Sequence, residues 1–269
     1  MSDISDQKVM VVCDFTDRMK DVILHGARFA DMLKKELCLL AVWKNRNHQI
    51  LVHQNMKATT QSLKSKLPAL QISSLLIKGS LRDNMVKIAK EYNAVLLVLH
   101  QADIRSTLSA FRESYIAFLY VNGGEAINLR YKNVLVPLDY RKASKESALW
   151  ASYLGRFNQA LVSVVYAKEK ITDQAEKLSK NLNFMKKLFA NLKVSHQLVP
   201  GKSGSWGIFK ETLSRSVALN GDVMILVGST YISFLDRIIG LPEEKMVKNS
   251  GHMSVLIINP QKEICVLCD

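Results

Sequence analysis

The stretch Gly201-Lys202-Ser203-Gly204-Ser205 carries residue types that bind phosphate or attack esters, depending on the frame in which it is read. A phosphate-binding loop ending in Gly-Lys-Ser needs a further glycine five residues upstream, so that successive backbone N–H groups wrap the phosphates. That position is His196, inside an apolar run that predicts a strand over Val194–Pro200. A nucleophile elbow needs Gly-x-Ser-x-Gly, and Ser205 stands where the closing glycine belongs. The stretch therefore reads as a strand-to-helix turn, with Gly201 making the bend and Ser203 or Ser205 capping the helix that follows.

Other reactive residue types are equally unassembled. Cys265 and Cys268 have CxxC spacing, but no helix start follows to depress a thiol pKa and no second ligand pair completes a zinc site. They read as part of an apolar tail. His48 and His53 are five apart, off one helical face, and His25 is expected on a helix surface. The chain has no HExxH, no paired catalytic carboxylates and no dinucleotide-type Gly-x-Gly-x-x-Gly. Neither a metal site nor a catalytic set is expected.

Bulk properties narrow the class. With 269 residues, 48% hydrophobic and 23% charged, the chain has an ordinary globular composition. It has no run long and apolar enough to span a bilayer and no secretory pattern at its start. Its four cysteines lack framework spacing, so a cytoplasmic protein is expected. The net charge of +13 is spread as scattered lysines on predicted helix faces, among them Lys177, Lys180, Lys186 and Lys187. That is a solvated surface and not an Arg-rich stripe with interleaved aromatics, so neither a specific nucleic acid nor a membrane is expected as a partner.

The elements that must position any site come in two matching sets. Lys8–Lys44 is echoed by Lys132–Lys168, with Asp14 answering Asp139; farther on Gly79 answers Gly201 and His100 answers Gly228. Landmarks matched in order argue for two tandem domains, 1–128 and 129–269. In the first, strands are predicted near Val9–Cys13, Leu37–Val42, Ile72–Ile77, Ala94–Leu99 and Tyr115–Val121. In the second they fall at Asn133–Asp139, Leu161–Ala167, Val194–Pro200, Asp222–Gly228 and Met253–Asn259. Helices are predicted between them, including Ala143–Phe157, Thr172–Leu192, Trp206–Leu219 and Pro242–Asn249. Near-continuous apolar strands separated by amphipathic helices predict an α/β class with parallel sheets covered on both faces.

The segments "NVLVPLDYRKASKESALWASYLG" and "VGSTYISFLDRIIGLPEEKMVKNSGHMSVLIINP" resemble the opening and closing segments of a universal stress protein domain. The resemblance covers both halves, so the chain is similar to tandem members of that family. It implies two doubly wound domains, each a five-stranded parallel sheet in the order 3-2-1-4-5, with a ligand crevice where the order reverses. ATP-binding members carry Gly-x-x-Gly, nine residues, then Gly-Ser or Gly-Thr. Here the resemblance implies a crevice formed by Asp139, Gly228, Ser229 and Gly240, but Tyr231 replaces the second glycine. Gly240 comes one residue early and Leu241 follows it. In the first domain "QADIRSTLSAFRES" has no glycine, although Asp14 keeps its place. The resemblance thus implies a non-catalytic stress-response or regulatory protein with an eroded nucleotide site, acting on a protein or small-molecule partner. The alternative is an ATP-binding, slowly hydrolysing protein that works through the second domain only. It further implies that the last strands of the two domains pair as an intramolecular pseudo-dimer, with a homodimer as the other arrangement.

Overall fold

The computed structural model describes residues 7–114, 116–123, 129–228 and 242–259. These divide into two compact units, with the division falling at Ile127/Asn128.

In the first unit, β1 (Lys8–Val12), β2 (Glu36–Trp43), β3 (Ile72–Lys78), β4 (Ala94–His100) and β5 (Ala117–Val121) alternate with helices. These are α1 (Met19–Leu33), α2 (Arg46–Lys66), α3 (Leu81–Lys90) and α4 (Ile104–Glu113). The strands are parallel in the order β3-β2-β1-β4-β5. Growth of the sheet reverses direction between β1 and β4. With right-handed crossovers, that reversal puts helices on both faces and opens a crevice beyond the ends of β1 and β4. The central strands show what this covering demands. In "AVLLVLH" six consecutive residues are buried, whereas edge strand β3, "ISSLLIK", buries only two of seven.

The second unit repeats the plan with β6 (Asn133–Leu138), β7 (Leu161–Tyr166), β8 (His196–Pro200), β9 (Val223–Val227) and β10 (Ser254–Ile258). Their order is β8-β7-β6-β9-β10, again parallel. The helices are α5 (Ser147–Asn158), α6 (Thr172–Asn191), α7 (Ile208–Ser214) and α8 (Pro242–Lys248). The two units agree in fine detail. Helices α1 and α5 both end on a left-handed residue, Lys34 at φ 54° and Gln159 at φ 53°, and neither is glycine. Close packing also fixes α5: a Cβ on Gly155 would overlap the Val194 side chain, while Ala148, Ala151 and Ser152 on the same helix are buried.

Three expectations need correction. The predicted helix over Trp206–Leu219 is only Ile208–Ser214. Gly204 and Gly207 weaken its start, Ser205 is held elsewhere, and beyond Ser214 the chain runs on as turns. Gly207, with no side-chain cap, stands at the start of α7, so neither Ser203 nor Ser205 caps it. His25 is 1% exposed rather than on a surface, because it lies on the buried side of α1 with Val22, Ile23, Gly26 and Phe29, while Lys20, Asp21, Arg28 and Asp31 take the other face. The predicted strand residue Tyr115 and the Cys265–Cys268 tail lie outside the described residues.

Candidate functional site

The reversal point of the second unit is built on Asp139, the residue after β6. β6 and β9 pair at Val134↔Val223 and Leu135↔Met224, and Asp139 and Gly228 are the residues that follow the ends of these two strands. Asp139 is fully buried, and its carboxylate is met from within its own loop. The Arg141 backbone N–H donates to Oδ1 at 2.9 Å, Arg141 Nε donates to Oδ2 at 2.7 Å, and Nη2 adds a second bond to Oδ2. Ser144 Oγ accepts from the Asp139 backbone N–H at 3.0 Å. Asn181 on α6 clamps the loop by donating to the carbonyls of Asp139 and Arg141, both at 3.0 Å. The other face of the Arg141 guanidinium lies over the Phe209 ring, 5.5 Å from its centroid. Gly228 spends its backbone N–H on the Ile258 carbonyl at 2.9 Å, the next strand of the sheet. Ser229, Tyr231, Gly240 and Leu241 lie outside the described residues.

The first unit places a different set of groups at its reversal point. Asp14 follows β1 and accepts from Thr16 through both N–H, at 3.0 Å, and Oγ1, at 2.8 Å. Phe15 between them takes φ 58°, a left-handed backbone unusual for a bulky side chain, which this turn over-determines. Arg18 bridges Asp14 at 3.5 Å and His100, at the end of β4, where its Nη1 lies 3.4 Å from Nδ1. The Ala102 N–H also donates to His100 Nδ1 at 3.1 Å, which places the ring proton on Nε2. Burial first, and then the Arg18 cation, hold His100 below the usual imidazole range. Burial pushes the Asp103 carboxyl up, opposed by Arg18 and reinforced by Asp14. Beyond His100 the chain enters a 3-10 turn at Gln101–Asp103 and then α4 directly, with no intervening loop. Cys13 is the nearest nucleophile type in sequence, but burial and then Asp14 push its thiol up to about 12, so it stays protonated.

The Gly-Lys-Ser stretch joins neither crevice as a phosphate cradle, because its amides are already taken. Lys202 N–H donates to Glu211 Oε1 at 2.9 Å and Ser203 N–H to Oε2 at 2.7 Å. Ser205 donates to Glu169 Oε1 through N–H at 3.0 Å and also through its hydroxyl. Arg215 completes the arrangement with a 2.6 Å ion pair to Glu211 and a 3.0 Å bond to the Pro200 carbonyl. Burial raises the Glu211 carboxyl, but the Lys202 and Ser203 donors and then Arg215 outweigh it and hold the group below the ordinary carboxylate range. Gly201 is needed for close approach, since a Cβ there would lie 2.7 Å from the Tyr166 carbonyl oxygen and 2.6 Å from Ile208.

Of the residues singled out from sequence, Asp139 and Gly228 stand at the ends of the neighbouring strands β6 and β9. His48 and His53 are on α2 and reach no site; the His48 ring instead packs back on the helix start, its Nδ1 accepting from the Lys44 backbone N–H at 3.3 Å. Among the described residues no His/Cys/Asp/Glu group has metal-binding geometry, and no helix is long and apolar enough to cross a membrane. Sequence reasoning missed Arg18, His100, Asp103 and Arg141. The available signal was an arginine closely following each strand-end aspartate, in "DFTDR" and "DYR".

No protein-family model and no curated protein matches the sequence. Solved structures do match. A universal stress protein from Archaeoglobus fulgidus DSM 4304 aligns over 96% of this chain and 98% of its own, with a TM-score of 0.71 and 11% identity. A protein described as a putative universal stress protein, from Pseudomonas aeruginosa UCBPP-PA14, covers 95% and 93%, with a TM-score of 0.63 and 12% identity. A functionally unknown protein from Pseudomonas aeruginosa PAO1 covers 96% and 94%, with a TM-score of 0.64 and 13% identity. Identity at this level speaks for fold and not for ligand. Over nearly its whole length, the chain has the fold of a universal stress protein.

Proposed function

We propose that this chain is a non-catalytic regulatory member of the universal stress protein family, built from two tandem domains whose nucleotide sites have eroded. The observation that carries the reading is that each strand-end aspartate is met by an arginine of its own loop, closely by Arg141 at buried Asp139 and at 3.5 Å by Arg18 at the more exposed Asp14. The Asp139 carboxylate, fully buried and bonded by Arg141, has little left to offer a nucleotide, and Asp14 already accepts from Thr16. In the first unit, α4 follows β4 through a single 3-10 turn, which leaves no glycine loop to bring backbone amides to phosphates. In the second unit, the Gly228 N–H is already spent within the sheet. The partner is then a protein or a small molecule recognised by these arginine-bearing crevices.

The competing reading, ATP binding with slow hydrolysis by the second unit alone, draws on the position of Asp139 and Gly228 at the ends of neighbouring strands β6 and β9. It involves Ser229 and Gly240 as further contacts. Titration calorimetry of the full chain with Mg·ATP separates the two readings. The proposal expects no saturable binding tighter than about 1 mM. Low-micromolar binding that disappears in Asp139→Asn would overturn it.

A further inference from the structure

The Gly-Lys-Ser stretch has no role in the crevices, yet it carries the most exposed large apolar side chain described. Trp206 is 97% exposed, and Ile171, at the start of α6, is 59% exposed. The two sit on loops that are tied together. The Lys168 N–H donates to the Ser203 carbonyl at 2.8 Å, and Ser205 is bonded to Glu169, midway between Lys168 and Lys170. Four exposed lysines flank them: Lys168 and Lys170 on one loop, Lys202 on the other, and Lys210, one helical turn beyond Trp206.

The acidic residues of the same loops do not offset that charge outward. Glu169 and Glu211 point into the loops as acceptors for backbone amides, and Asp173 is paired with Lys177 at 2.6 Å. Arg215 is spent on Glu211. Asp173, itself exposed, is balanced by Lys177, so the net solvent-facing charge of this corner is positive around a projecting indole. A single exposed apolar side chain is ordinary, but here an indole and an isoleucine stand on two tied loops ringed by lysines, a combination that suits an amphipathic, negatively charged surface.

We propose that this corner of the second unit docks on an anionic lipid surface, with Trp206 and Ile171 entering the headgroup region and the four lysines meeting the lipid charge. The residue types favour this occupant over a nucleic acid strand. Single-stranded nucleic acid is held in a basic groove with bases stacked on aromatic side chains, and an exposed aliphatic residue such as Ile171 adds nothing to that mode. A bilayer interface accepts both the indole and the isoleucine. The proposal revises the sequence-based expectation of no membrane partner, which rested on the lack of a spanning segment and on scattered charge. It stands independently of whether either crevice binds a nucleotide.

The test is sedimentation of the full chain with vesicles of pure phosphatidylcholine and of phosphatidylcholine mixed with phosphatidylglycerol, together with tryptophan emission. Binding is expected only to the anionic vesicles, falling as salt is added, with a blue shift in emission. Trp206→Ala and Lys202→Glu should each weaken it about tenfold. Trp206→Ala should also remove the blue shift, since Trp150 is already buried and Trp43 stands in the first unit, half-buried and packed against Lys78. Thermal melts matching the parent show that each variant is folded, as expected for exposed side chains. Failure to bind anionic vesicles at low salt, binding indifferent to Trp206, or Trp206-dependent binding to a single-stranded oligonucleotide but not to vesicles would each overturn the proposal.

Discussion

Arg141 and Arg18 change what the strand-end aspartates mean. A buried carboxylate without a partner would either take up a proton or destabilise the fold, and Asp139 is fully buried. The Arg141 side chain, itself half exposed, supplies the counter-charge from two residues away. His25 solves the opposite problem. Burial pushes its imidazole down to about 4, with a bond to the Asn122 backbone and then the Asp21 charge only partly opposing. The folded protein thus prefers the neutral ring, while the unfolded chain takes up a proton near the ordinary value of 6.5. Stability is therefore fully present above pH 6.5 and falls as pH drops toward 4, by up to about 3 kcal/mol. Urea titrations at pH 7 and pH 5 check this directly. His25→Gln should lower stability at pH 7 but remove this part of the pH dependence, and an unchanged slope in the variant would show that other groups carry it.

At the scale of elements, the β8–α7 loop is held by two inward-facing glutamates and not by its serines. Glu211 receives the amides of Lys202 and Ser203 and the charge of Arg215 at once. Glu211→Gln keeps the shape but offers those donors only one acceptor, and should cost about 1–3 kcal/mol at neutral pH by urea unfolding. Because the folded carboxyl is held below its ordinary value, its contribution is present above the unfolded pKa and is lost as pH falls through the folded one. The deficit of the variant should accordingly shrink below about pH 4. This loop also marks where the sequence stopped being legible. The strands could be read because burial on both faces leaves near-continuous apolar runs, as in "AVLLVLH" and "VMILV". The absence of a phosphate loop could be read from His196. The partners of Glu169 and Glu211 could not, since they join residues brought together by the fold. His25 was misplaced because it stands at the border of the buried face of α1, beside the polar residues Asp21 and Arg28, where helical spacing alone does not say which side it takes.

For the whole molecule, two units with the same strand order, each with an aspartate at the reversal point, raise the same question twice: whether a nucleotide sits there. The repeat made the architecture readable, and solved structures matching across 96% of the chain support it. Identity of 11–13% leaves the ligand to the residues themselves. In the first unit Asp14, Arg18, His100 and Asp103 fill the reversal point, and in the second Arg141 closes on Asp139. Native mass spectrometry of the purified full chain tests this reading most directly, because a bound nucleotide would travel with the protein. The account predicts the mass of the polypeptide without a nucleotide adduct, before and after addition of Mg·ATP. A stoichiometric triphosphate adduct that Asp139→Asn abolishes would contradict it.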